Sequence, residues 1–206
     1  MLSSYLPDAN VKFIIAAICS IIIMGVFLRM SFAYTHKRAN KKYARDKTPA
    51  PSIPAFANLS KMLFVSAMLL TLSGYWINAR LLLQINTPAF TPLLGAGFVL
   101  YGYYKLEKAF LNLGDNYSPL FEAYMPFKII THGAYQNIRH PIYLYNLYVS
   151  FGLAISSASG PVLICAIIGL FYVLKAIQLE EIYLMKSFPD YKEYVKHSWR
   201  LIPHIY

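Results

Sequence analysis

The sequence predicts an all-α fold: a polytopic membrane protein of about five transmembrane helices, ending in a C-terminal helical hairpin whose inner ends carry the polar chemistry. Three observations lead there. Hydrophobic residues make up 57% of the chain and the mean hydropathy is +0.43, too apolar for an ordinary soluble domain of 206 residues. Apolar windows of about 20 residues recur, the length a spanning helix needs because lipid offers backbone groups no hydrogen-bond partner. The formal charge of +10 is gathered beside the ends of alternate windows.

The first window runs from about Val11 to Tyr34, with the core FIIAAICSIIIMGVFL. It is too long for a signal-peptide core and lacks a small-residue cleavage site, so it reads as a retained span. A second runs from about Leu59 to Ala79, approached through TPAPSIPAF (Thr48 to Phe56), whose prolines stiffen the linker. The third covers about Thr91 to Leu111, the fourth about Ile142 to Ile155 and the fifth about Pro161 to Leu179. The short SSASG between the last two closes them into a hairpin. The fourth is short, so its ends must extend or the membrane must thin around it.

The basic run HKRANKKYARDK (His36 to Lys47) follows the first span, and further Lys and Arg follow the third and fifth. By the positive-inside rule the N-terminus lies outside, and the basic loop and C-terminus lie in the cytosol, a parity that five spans satisfy. The run is expected to meet anionic membrane lipid. No nucleic-acid-binding motif accompanies it, so no nucleic acid partner is expected. Cys19 and Cys165 both fall inside apolar windows. They read as core filler, with no disulfide or metal-ligand spacing.

The chemistry concentrates where polar residues meet the hairpin. The stretch NIRHPIYLYN, Asn137 to Asn146, puts a cation, a titratable ring and a proline at the mouth of the fourth window. Counting from Ala158 in the turn, His140 lies 18 residues before and Glu180 lies 22 after. At about 1.5 Å rise per residue the two points reach nearly the same depth. Arg139, His140 and Tyr143 are therefore expected to face Glu180 and Glu181 across the hairpin.

Pro141 suits the first helical position, where its missing N–H is no loss. The free N–H groups of that turn and the helix dipole form an anion seat. Arg139 adds a fixed positive charge, and the two glutamates supply negative charge within reach. A ligand with both a carboxylate and cations matches this pattern, and S-adenosylmethionine, an amino acid with a sulfonium, is one. Tyr135, Tyr143 and Tyr145 are placed to pack on its adenine or to approach the sulfonium face-on. A plainer reading fits the same residues: Arg139 and Glu180 as an ion pair closing the hairpin, and the tyrosines as an aromatic belt. On that reading His132 and His140 are structural.

The segment GAYQNIRHPIY, followed by LEEIYLMKSFPDYKEY and RLIP, resembles the isoprenylcysteine carboxyl methyltransferase family and its bacterial and archaeal relatives. LGDNYSP is similar to the polar loop that precedes the motif in prokaryotic members. The resemblance covers about Leu106 to the end. It implies a single integral membrane domain over residues 1–206, with an N-terminal two-helix region at 1–87 and a methyltransferase core at 88–206. It also implies a bacterial or archaeal cell membrane and no Rossmann-type domain. The implied cofactor is S-adenosyl-L-methionine, held at the inner face.

Carried over by position, Tyr135, His140, Pro141, Ile142 and Tyr143 would line the cofactor and Glu180 would contact it. Phe127, Lys128, Ile129 and Ile130 match a stretch that lines it through the backbone. The chain departs from the family at Phe127, where relatives often carry histidine. It departs again at Ala176, where prenylcysteine-specific members carry an arginine for the substrate; Lys175 is adjacent but points about 100° away. Arg139, Glu180 and Glu181 are the candidate catalytic charges, and Tyr145, Asn146 and Tyr183 the candidate acceptor pocket. The acceptor is expected to be a lipophilic small molecule or a lipidated group reaching the site sideways between helices.

A carboxylate acceptor is already ionised at neutral pH and needs no general base. Isoprenylcysteine-like O-methylation would thus require alignment and exclusion of water. A phospholipid N-methyltransferase is the alternative, and it needs a base such as His132, Glu181 or a tyrosine. Two further readings are a non-catalytic membrane scaffold and a nicotinamide-dependent membrane reductase, though relatives of the latter are usually much longer.

Overall fold

The computed structural model describes residues 87–88, 90–116, 126 and 128–206, together with Ile18, Ile21, Ile22 and Arg29, which are helical. The rest of the first window, the whole second window, the basic loop, the proline-rich linker and Phe127 lie outside the described residues. Within the described part the architecture is helical, without strands.

Helix α1 spans Thr91–Leu113, close to the third window, with a proline in its first turn. Helix α2 spans Pro141–Ser157 and starts on its proline. Helix α3, Gly160–Ser187, runs well past the apolar stretch that ended at Leu179. A six-residue helix α4, Tyr191–Lys196, follows. The turn between α2 and α3 is tighter than SSASG implied: only Ala158 and Ser159 lie outside helix. Ala158 takes a left-handed conformation at φ 48° and its N–H bonds to the Ile155 carbonyl, while Ser159 Oγ accepts from Val162 N and caps α3.

Among the described residues one helix, α3, is long and apolar enough to cross a membrane. α1 carries Lys105, Glu107 and Lys108 in its second half. α2, with 17 residues, extends only about 25 Å against a hydrocarbon core of about 30 Å. Large apolar side chains nonetheless face outward along the bundle, among them Leu94, Phe98 and Leu100 on α1 and Ile164, Ile168 and Phe171 on α3. Surface of this kind is unusual where water is the solvent.

α1 and α2 run antiparallel and nearly touch through their backbones. A Cβ on Gly95 would stand 2.6 Å from the Gly152 carbonyl oxygen, and one on Gly102 would stand 2.8 Å from Tyr148 Cβ. Small residues one or two turns apart therefore set this crossing, as expected where lipid removes the hydrophobic drive between helices. The larger apolar core lies where α1 ends, α2 begins and α3 ends. Leu106, Phe110, Ile130, Leu147, Val173 and Ile177 meet there. That end of the bundle carries the polar site.

Candidate active site

The hairpin brings the two predicted halves together. The Tyr143 hydroxyl donates to Glu180 Oε2 at 2.9 Å. His140, capping α2, lies between the two acidic side chains. Its Nδ1 is 3.7 Å from Glu180 Oε2 and its Nε2 is 3.4 Å from Glu181 Oε1. Tight turn and helix rise thus place residues 140 and 180 at one level. Nε2 is buried and makes no hydrogen bond, since its approach to Glu181 lacks the required geometry.

The adjacent glutamates occupy opposite environments. Glu180 keeps 44% of its side chain exposed, whereas Glu181 keeps 2%. Arg139 Nε donates to Glu181 Oε1 at 2.7 Å, and Arg200 Nε donates to Oε2 at 2.7 Å. The Tyr191 hydroxyl lies 3.5 Å from Oε1. Arg139 also donates through Nη1 to the Ser198 carbonyl, to Ser198 Oγ at 3.2 Å and to the Val195 carbonyl at 3.3 Å. The sequence reading offered Arg139 to a ligand or paired it with Glu180. In the structure its partners are Glu181 and the C-terminal segment. One helical residue, about 100° of rotation, separates the two assignments.

This clamp holds the C-terminal segment against the front of α2. Arg139 N donates to the Trp199 carbonyl at 2.8 Å, His140 N to the Arg200 carbonyl at 3.1 Å and Trp199 N to the Asn137 carbonyl at 2.9 Å, a short parallel bridge. Hydrogen bonding to Glu181 raises the pKa of Arg200 above its already high ordinary value, against a smaller opposing effect of burial. Burial raises the phenol pKa of both Tyr191 and Tyr194, so both remain donors. The Tyr194 hydroxyl donates a hydrogen bond to the Tyr135 carbonyl.

The loop ahead of α2 is hung from the end of α1 by two asparagines. Asn112 Oδ1 accepts from Ala134 N at 2.9 Å, and Asn116 Oδ1 accepts from Lys128 N at 3.0 Å. Gly133, at φ 61°, packs so closely that a Cβ would fall 2.7 Å from Asn112 Cγ, hence glycine at that position. Tyr135, Ile130 and Pro141 are buried, Ile129 and Ile142 half-buried, and Lys128 exposed. Asn116, Tyr191, Tyr194 and Arg200 lie in the stretches LGDNYSP, LEEIYLMKSFPDYKEY and RLIP but carried no role in the sequence reading, and Asn112 lies in none of them. The i, i+4 asparagines at the end of an apolar window were the available signal.

The three acceptor-pocket candidates differ in exposure. Tyr145 is buried beside Tyr148, ring centroids 6.4 Å apart. Asn146 is exposed, and Tyr183 is half-buried one turn past Glu180 on α3. Ala176 is packed at 2% exposure, while Lys175 faces outward. The position at which the resemblance would put an arginine thus holds a buried alanine, and the adjacent lysine points away from it. His132 is exposed on the loop.

Comparison with known families bears directly on this geometry. The model of the phospholipid methyltransferase family matches residues 83–191. That stretch holds α1, the asparagine-hung loop, the whole hairpin and the start of α4, and so both halves of the site. No curated protein matches the chain. The match takes in more than half of the sequence, and the chain belongs to the phospholipid methyltransferase family, within the isoprenylcysteine carboxyl methyltransferase-like superfamily, as a membrane methyltransferase.

Proposed function

We propose that the protein uses S-adenosyl-L-methionine to methylate a lipophilic or amphiphilic acceptor at the inner membrane boundary, by O-methylation of a carboxylate. The observation that carries this reading is the Tyr143–Glu180 hydrogen bond at a proline-started helix tip. It presents a half-exposed carboxylate beside the N-terminal end of a helix dipole. The His140 ring lies beside it, with Nδ1 3.7 Å from Glu180 Oε2. That donor set fits an amino acid bearing additional positive charge. When bound, the cofactor supplies an electrophilic methyl group on its sulfonium.

The chain's own residues bind and orient. Glu180 accepts hydrogen bonds from the ligand's cationic or hydroxyl groups, and Tyr143 fixes the Glu180 rotamer. The first turn of α2 attracts the ligand's carboxylate. Tyr135, Ile142 and the backbone of residues 128–130 wall the site and keep water from it. Arg139 and Glu181, facing each other, act as the frame behind these groups. No proton needs to move when the acceptor is a carboxylate, so no base is required. Tyr145, Asn146 and Tyr183 are kept as acceptor-side positions on this reading.

The surrounding topology follows the sequence reading: five spans, N-terminus outside, C-terminus cytosolic, with residues 1–87 as a two-helix region and 88–206 as the methyltransferase core. The host membrane is bacterial or archaeal. The acceptor reaches the site laterally and the soluble cofactor from the cytosol.

The family description favours a second reading, N-methylation of a phospholipid amine. That chemistry needs a base, and Glu181 is poorly suited because both carboxylate oxygens already receive guanidinium hydrogen bonds. His132 or a tyrosine would have to serve. The test is transfer of labelled methyl to a farnesylated cysteine analogue, to phosphatidylethanolamine and to small amphiphilic acids. Labelling of the acids or the cysteine analogue supports the first reading, and labelling of the phospholipid alone supports the second. Turnover of water-soluble acceptors only would contradict lateral access.

A further inference from the structure

We infer that Arg200 is a positioning residue for the cofactor site, acting through Glu181 to hold the two halves of that site in register. This rests on the reading of the Tyr143–Glu180 region as the cofactor site. Arg200 lies beyond residue 191, where the family match ends, and opens the RLIP stretch of the sequence resemblance, which carries no role for it.

Its contacts reach both halves at once. The Arg200 carbonyl accepts from His140 N at 3.1 Å, one residue before α2 begins. Its Nε donates to Glu181 Oε2 at 2.7 Å, one residue after Glu180 on α3. The Arg200 side chain is 37% exposed and closes the clamp from outside, with its guanidinium carbon 5.2 Å from the Tyr206 ring centroid. The inner partner, Arg139, is buried and carries its own bonds to Val195 and Ser198.

Removing the Arg200 charge would leave Glu181 Oε2 buried and unpaired. The cheapest relief is for Glu181 to turn toward Arg139 and His140. Glu180 is the next residue on the same helix, so that turn displaces the carboxylate that Tyr143 orients. Small displacements of a ligand contact cost binding well before they cost the fold. The acceptor, meeting other surfaces, is not affected.

The test is titration of S-adenosylhomocysteine into detergent-purified full-length protein, paired with separate KM values for cofactor and acceptor. Arg200→Lys, which keeps a cation for Glu181, is expected to raise the Kd about threefold, and Arg200→Gln about tenfold. The acceptor KM is unchanged in both. Should Arg200→Gln fail to fold, Arg200→Lys alone decides. A Kd equal to the parent's, or cofactor and acceptor KM rising by the same factor, overturns the inference. Absence of binding by the parent protein overturns the cofactor-site reading itself, so the two failures are separable.

Discussion

Glu181 lies between Arg139 and Arg200, one guanidinium nitrogen 2.7 Å from each of its carboxylate oxygens. Its neighbour Glu180 instead faces outward and takes the Tyr143 hydroxyl. Two consecutive acids on one helix thus have different work, and their variants should separate cleanly.

Glu181→Gln leaves two guanidiniums facing a neutral amide, one of them buried. Loss of one partner from a buried ion pair costs about 3–5 kcal/mol. The half-exposed position of Arg200 argues for the lower end of that range. A fall of several degrees in the melting temperature in detergent is expected, larger than for Glu180→Gln. Equal melting temperatures for the two variants would contradict the division of labour.

Tyr143→Phe deletes the hydroxyl that orients Glu180 and keeps the ring. A single hydrogen bond to a charged group is worth about 1.5–3 kcal/mol. Partial exposure of Glu180 reduces that, so cofactor affinity should drop about three- to tenfold with little change in stability. Isothermal titration of the two proteins measures it.

Gly102→Leu tests the crossing of α1 and α2. Even a Cβ there would meet Tyr148 Cβ at 2.8 Å and the Tyr145 carbonyl at 3.1 Å, so the helices must separate. Overpacking costs about 1–3 kcal/mol, and a backbone-to-backbone crossing has little room to relax. Reduced folded yield and a lower melting temperature are expected. Gly97→Leu, at a position whose Cβ would meet nothing within 4 Å, should be close to neutral in the same assay.

The pH dependence of turnover separates the two acceptor chemistries. A carboxylate acceptor is ionised throughout the neutral range, so the rate should be nearly flat from about pH 6 to pH 8. An ammonium acceptor reacts only after deprotonation, so its rate should climb about tenfold per unit below the amine's pKa. A profile rising steeply above neutrality would favour phospholipid N-methylation.

Much of this site was legible in the sequence because its geometry is local to a hairpin. Turn position and helix rise were enough to bring residue 140 level with residue 180, and Pro141 announced the start of α2. The choice of partner for Arg139 was not legible, because Glu180 and Glu181 differ only by rotation around α3. Packing settles that rotation: Ala176, Ile177 and Glu181 are all turned into the core. The contribution of Arg200 was hidden for another reason. It depends on backbone pairing between residues 137–140 and 199–200, and hydrophobic periodicity carries no trace of such a contact. The apolar window ends at Leu179, where hydropathy falls, whereas the helix that carries it continues through both glutamates to Ser187.

The most direct measurement is titration of S-adenosylhomocysteine into the purified parent protein and into Glu180→Gln. The account predicts saturable binding by the parent, at least tenfold weaker binding by the variant, and the same melting temperature for both. No binding by the parent at millimolar concentrations, or a Glu180→Gln protein that binds normally but melts earlier, would contradict it.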